Sequence, residues 1–170
     1  MKEERALLLA ELLTEMSQDP GGFFPEEAWD VIQRAFALPV IELAVVRDCE
    51  EGLQILLVHR DDKDWRGWHV PGGQWRTCQT LEEGIKSLAE AELGTSAVKF
   101  LAKGPWEKWM DHPTGFPICH IVICSADYIA ETENQRWFSK APRDMIDDNG
   151  HHARYIESVF RQVKEQKLLD

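Results

Sequence analysis

A glycine pair, Gly72-Gly73, leads through QWRTCQT into a helix-like segment, Leu81 to Leu93, that stops at Gly94. Glycines let a backbone pass close to a phosphate or a metal ion with no side chain in the way. A loop that feeds a helix N-terminus also offers oriented N–H groups to an anion. Towards the far end of the segment, positions 88, 91 and 92 are neighbours on the helix surface, at i, i+3 and i+4. Three carboxylates there would make a dense cation site. The residues are Leu88, Ala91 and Glu92, so the site would be sparse. Mg2+ works with one or two carboxylates, several waters and the substrate's own phosphates, which keeps such a site open. Glu92 is misplaced by simple helix rules. A negative charge in the last turn opposes the helix dipole by about 0.3–1 kcal/mol, and Glu92 continues the apolar line of Leu81, Ile85 and Leu88. A bound cation relieves both problems; a solvated glutamate at a frayed helix end is the alternative.

Other residues add charge, ring faces and titratable nitrogens. The run RDDKDWR, residues 60–66, carries Arg60 and Arg66 among acids. It reads as a phosphate-facing lip or as a solvated turn whose ion pairs are worth little, and the phosphate role is favoured for Arg60. Trp65, Trp75 and Trp109 fall in or near loops, where a base or sugar could stack. For any single tryptophan, packing is the commoner role, and Trp68 and Trp137 are assigned to it. His151-His152 beside Asp147-Asp148 could bind a transition metal, but a polar cap for the last helix is the preferred reading. His120 alternates within a strand-like run and reads as a sheet residue. His112, in a Pro/Gly loop, is the histidine to suspect.

The elements that must hold these groups follow from periodicity. Residues 2–16 read as a helix with Leu8, Leu9, Leu12, Leu13 and Met16 on one side. QDPGG, residues 18–22, breaks it. Pro25, Glu26 and Glu27 open a second helix, with Trp29, Ile32 and Phe36 as its buried face and Pro39 ending it. Residues 40–47 and 53–59 read as a β-hairpin, followed by a polar loop over 60–67. Thr80 caps the helix over 81–93, with Glu83 completing a capping box, and Gly94 stops it. One or two strands are expected over 97–109, a loop over 111–117, a strand over 118–129, a polar loop over 131–135 and a short element from Arg136. An amphipathic helix with Ile156, Val159, Phe160 and Val163 comes last. Strands mixed with helices, and no internal linker, predict an α/β/α sandwich. The whole of 1–170 reads as one domain, with 1–36 as a helical N-terminal extension.

The stretch from Pro71 to Gly94, PGGQWRTCQTLEEGIKSLAEAELG, resembles the Nudix box, G-x5-E-x7-R-E-U-x-E-E-x-G-U with U aliphatic. Gly73 and Gly94 match its outer glycines and Glu92 its last glutamate. Gln79 stands where the first glutamate belongs, Ser87-Leu88 replace the Arg-Glu pair, and Ala91 replaces a further glutamate. The pattern is most similar to the GDP-mannose mannosyl hydrolase branch, whose degenerate box shares the leucine and the A-E-L-G ending. The resemblance implies a Nudix-type mixed sheet between helices. It also implies a divalent ion, Mg2+ or Mn2+, held by the Gly72 carbonyl and Glu92. Arg60 would contact the diphosphate, with the Gly73 backbone beside it. The arginine expected after the glycine pair is Gln74 here, and Arg76 could substitute. Aligning a late loop on Arg136-Trp137 makes Glu131 a further metal ligand. That loop lacks the branch's histidine base, which leaves Glu133, His112 and His120 as moved bases. The implied activity is metal-dependent hydrolysis of a nucleoside diphosphate derivative, such as a GDP-mannose-like nucleotide sugar. The alternative is a catalytically inactive module that binds nucleotide or protein.

Composition bounds the partners. The chain has 170 residues, 44% of them hydrophobic, which suits a folded domain and excludes a disordered tail. A formal charge of −11 argues against a general nucleic-acid surface. An anionic substrate then needs a local basic patch or a bound cation. No apolar run reaches the length that crosses a bilayer, so no membrane partner is expected. The opening MKEERALLLAELL reads as an amphipathic helix and not a signal peptide, because it contains Glu11 and lacks a small-residue cleavage site. Cys49, Cys78, Cys119 and Cys124 form no CxxC pair, which fits a reduced, cytoplasmic protein. The leucines of residues 7–16 suit either a homodimer interface or packing within the chain.

Overall fold

A strand apolar on both faces must be covered on both faces, and the run Ile41 to Val46 is buried throughout. It belongs to β1 (Pro39–Cys49). The structure is a computed structural model and describes residues 3–18, 26–63, 65–76, 79–110, 112, 115–147 and 150–169. The end of β1 pairs antiparallel with β2 (Gly52–Asp61), and its length pairs in parallel with β6 (Ile118–Ala126). Across the sheet the order is β3 (Arg66–His69), β2, β1, β6 and β5 (Val98–Lys108). β4 (Gly72–Gln74) pairs with β1 at Val40–Glu42, and β7 (Gln135–Phe138) pairs with β2. On one side, β1 therefore changes neighbour along its length, from β4 to β2.

The two sheet faces carry separate cores. Ile41, Leu43 and Val45 of β1, with Val122 and Cys124 of β6, meet Ile85, Ala89 and Leu93 of α3 (Leu81–Leu93). Ala44 and Val46, with Ile121 and Ile123, meet Tyr155, Ile156, Val159 and Val163 of α4 (His151–Gln166). Burying each large aliphatic side chain contributes about 1.5–3 kcal/mol. The result is the expected α/β/α layering.

The α3 ends match their sequence signals. The Thr80 side chain accepts from the Glu83 backbone N–H, the Glu83 carboxylate accepts from the Thr80 N–H, and Gly94 closes the helix in the left-handed conformation. Other boundaries shift. The expected polar loop over 60–67 is shorter, because β2 runs to Asp61 and β3 begins at Arg66. The region after Gly94 holds one strand, β5, with irregular pairing between Phe100 and Ala102 and between Lys103 and Trp106. The first two helices are α1 (Glu3–Gln18) and α2 (Glu26–Ala35). Trp29 and Ile32 of α2 are partly covered, but Phe36 lies beyond the helix and is exposed, against expectation. On α1, Leu7, Leu8, Leu9, Leu12 and Leu13 are all exposed. Most of the helix-breaking QDPGG lies outside the described residues, as do Asp64, Cys78 and Asp148.

Candidate active site

Glu42 interrupts the apolar run of β1 in phase with Ala44 and Val46, so its side chain turns to the α4 face. Its carboxyl is buried, and its Oε2 has no hydrogen-bond partner among the described residues. Burial pushes the carboxyl up to about 7, against the attraction of His152 and a hydrogen bond from the Cys119 thiol. Gly72 is its paired residue on β4, and a Cβ on Gly72 would fall 2.5 Å from Glu42 Oε2. A Cβ on the next residue, Gly73, would meet Leu88 of α3 at 2.8 Å. The glycine pair therefore lets one short strand fit between a buried carboxylate and a helix.

His152, at the start of α4, faces Glu42 from the opposite wall. Its Nε2 lies 3.9 Å from Glu42 Oε2. Its Nδ1 is 3.0 Å from Asp147 Oδ1, and its backbone N–H donates to Asp147 Oδ2 at 3.0 Å. Burial raises the Asp147 carboxyl, but the hydrogen bonds and charge of His152 outweigh this and hold it below the usual range. The polar-cap reading of this segment is met by Asp147. In addition both histidine rings turn inward. His151 stacks on Trp109, with centroids 4.4 Å apart, and its Nε2 lies 2.7 Å from the Tyr155 hydroxyl. His69 of β3 completes the wall. Its Nε2 is buried without a hydrogen-bond partner among the described residues, and burial, with the nearby His152, lowers its pKa to about 3.

These groups line a cavity of about 370 Å3. Its wall includes Glu42, His69, His152, Gly72, Gly73 and Arg60, with the rings of Trp65, Trp109 and His112 across from them. Of the residues singled out in the sequence, the fold thus gathers Arg60, Gly72, Gly73, Trp109 and His112. His112 packs against Trp65 and Trp109, and burial lowers its pKa to about 4. Arg60 pairs with Asp62 at 2.6 Å at the exposed rim.

Glu92 is half-buried on α3 and does not line the cavity itself. Burial raises its carboxyl and Arg60 pulls it back down, and its charge also reaches Glu42. Its carboxylate makes no hydrogen bond or ion pair among the described residues.

Four expected positions lie elsewhere. Glu131 uses its carboxylate to accept the Trp137 backbone N–H at 2.9 Å, which ties down the entry to β7. Glu133 is exposed in the turn closed by Thr132 and Gln135. Arg76 is exposed outside the cavity wall. His120 sits in β6 opposite Trp106, near Trp75, and is not part of the wall.

The donor set can be tested against a divalent ion. No group of three His, Cys, Asp or Glu among the described residues forms a ready metal cage. Mg2+ does not require one, since carbonyl, water and phosphate oxygens complete its shell. Glu92, half-buried, without a hydrogen bond or ion pair among the described residues and within electrostatic reach of Arg60, offers one such carboxylate.

No protein-family model and no curated protein matches the chain. Solved structures do. The chain is similar to a UDP-X diphosphatase, with a TM-score of 0.57 and 19% identity, covering 96% of this chain and 82% of that one. It is similar to an Ap4A hydrolase of C. elegans, with a TM-score of 0.54 and 11% identity over 78% of this chain and 99% of that one. It is also similar to the M. smegmatis Nudix hydrolase RenU, at a TM-score of 0.57 and 16% identity over 79% and 91%. The architecture is therefore the Nudix fold.

Proposed function

We propose that the chain hydrolyses a nucleoside diphosphate derivative with the help of Mg2+ or Mn2+, and that nucleotide sugars are the substrates to try first. The observation that carries this reading is a cavity lined by Arg60 and Gly72, with the half-buried carboxylate of Glu92 close enough to Arg60 for the two charges to interact. The Gly72 carbonyl and Glu92 would hold the ion. When bound, it would neutralise diphosphate oxygens and ease departure of the leaving group. Arg60 binds phosphate, exchanging its exposed pairing with Asp62 for a more highly charged partner. Trp65 offers a ring face to a base or sugar, while Trp109, buried and stacked on His151, backs the cavity wall. Glu131, Glu133 and Arg76 have no part in this reading: the Glu131 carboxylate accepts the Trp137 N–H, and Glu133 and Arg76 are exposed off the cavity wall.

The test is turnover of nucleotide sugars and dinucleotides with Mg2+ or Mn2+. Glu92→Gln should lower turnover on the order of 100-fold, since even supporting groups of metal sites are worth 10–100-fold. Unchanged turnover in a folded Glu92→Gln protein would reject the metal assignment. The rival reading, an inactive binding module, draws on Leu88 and Ala91. Leu88 packs against Gly73 where a carboxylate would otherwise project. Wild-type protein that binds nucleotide tightly without metal and turns over nothing would favour that module.

The exposed leucines of α1 would be covered by a second copy of the chain. Light scattering should then show a dimer that Leu8→Glu with Leu12→Glu converts to monomer, and a monomeric wild type would remove the assignment. A reduced, cytoplasmic setting suits Cys49, Cys119 and Cys124, which are all free. No helix among the described residues is long and apolar enough to cross a membrane.

A further inference from the structure

We infer that His152, oriented by Asp147, is the general base of this site and acts on a water that Glu42 helps to hold. The inference rests on the hydrolase reading above. Capping α4 would require Asp147 to accept only backbone N–H groups. Asp147 also takes the ring Nδ1 of His152 at 3.0 Å. That bond places the ring proton on Nδ1 and leaves the Nε2 lone pair facing the cavity.

The gap between His152 Nε2 and Glu42 Oε2 is 3.9 Å, too long for a direct hydrogen bond. It suits one water. An oxygen at about 2.8 Å from each atom would subtend an angle of about 90°, near the angle between its own hydrogens. Such a water donates one hydrogen to each acceptor and turns its lone pairs into the cavity. Glu42 Oε2 has no other hydrogen-bond partner among the described residues.

In the step, the water oxygen forms a bond to the electrophilic atom of the diphosphate derivative. The bond from that atom to the leaving oxygen breaks, and the leaving oxygen keeps the electron pair. His152 Nε2 takes one water proton and becomes imidazolium, which the Asp147 carboxylate stabilises. The groups facing His152 are Glu42 from β1, His69 from β3, His112 from the loop before β6, and Asp147, His151 and Tyr155 beside it. Glu42 and Asp147 are the two acids among them.

His152→Ala should lower kcat by about 10²–10⁴-fold, the usual worth of a positioned general base, with little change in KM. Added imidazole should restore part of the lost turnover by entering the vacated space. Asp147→Asn should also lower kcat strongly, because an amide that donates to Nδ1 places the ring proton on Nε2 and removes the accepting lone pair. Circular dichroism checks that each variant is folded, and His152→Gln replaces His152→Ala if the latter does not fold. Unchanged kcat in the folded His152 variant overturns the inference and leaves the hydrolase reading standing. A loss of activity that imidazole does not restore also overturns it, since that marks a structural role. Wild-type protein without turnover on any substrate overturns both.

Discussion

Glu42→Gln should stabilise the folded protein by about 3 kcal/mol at pH 8. The carboxyl stands near 4.5 when solvated and is pushed up to about 7 in the fold, chiefly by burial. Each pH unit of such a shift is worth about 1.4 kcal/mol. The sign follows from proton uptake. Between about 4.5 and 7 the folded state binds the proton and the unfolded chain does not, so stability falls as pH rises through this window and stays low above it. His69 acts in the opposite sense. Its folded pKa is lowered from 6.5 to about 3, so the unfolded chain takes the proton first and stability falls as pH drops below 6.5. From about 4.5 to 6.5 the two slopes nearly cancel. Wild-type stability from these groups should be flat there, declining over the short window from 6.5 to about 7 on the alkaline side and over the wider window from 4.5 to about 3 on the acid side. Glu42→Gln should instead gain stability as pH rises to 6.5 and then level off. Urea denaturation at pH 4.5, 6.5 and 8 tests this, and equal midpoints for both proteins at pH 8 would reject the burial argument. Turnover should fall as stability rises, which is the usual exchange at a site that holds a charge in an apolar wall.

Glu42 also shows what the sequence made legible and what it did not. The β1 run VIELAVV announces a strand, and a lone acid in phase with buried Ala44 and Val46 is a signal available from alternation alone. What alternation cannot supply is the partner. Glu42 meets His152 only because β1 and α4 are joined through a sheet that brings residues over a hundred positions apart to one cavity. The local signals did well for the same reason in reverse. Thr80, Glu83 and Gly94 fix α3 through contacts within a few residues, so its ends could be read directly. The His151-His152 pair was readable as a helix start, and the cap by Asp147 is local. The stacking on Trp109 and the inward turn of both rings depend on tertiary packing. Glu131, which the loop alignment offered as a metal ligand, lies off the cavity wall. Its carboxylate is taken by the backbone of Trp137, a contact no box pattern encodes.

Gly67→Ala should destabilise the protein by about 4 kcal/mol or more, among the largest effects of any single change outside the two cores. Gly67 has φ +133°, a conformation that side chains rarely adopt. A Cβ there would also collide with the Asp144 carbonyl oxygen and come within 2.9 Å of the Met145 carbonyl carbon. These are backbone atoms, so no rotamer change relieves the contact. The close approach has a purpose in the site. Trp68 N–H donates to the Asp144 carbonyl at 2.8 Å, and Ile146 N–H donates to the Trp68 carbonyl at 3.0 Å. Those bonds fix the segment that carries Asp147, and through Asp147 the His152 ring. Gly52 is the matched control. Its φ is +96°, but a Cβ there meets nothing within 4 Å. Gly52→Ala should cost only the strain of its backbone, about 1–3 kcal/mol, and leave turnover intact. Gly67→Ala, studied at a temperature where it is still folded, should lose stability and turnover together. If the two alanine variants unfold at the same urea midpoint, the close packing of β3 on the Asp147 segment is not what holds that segment in place.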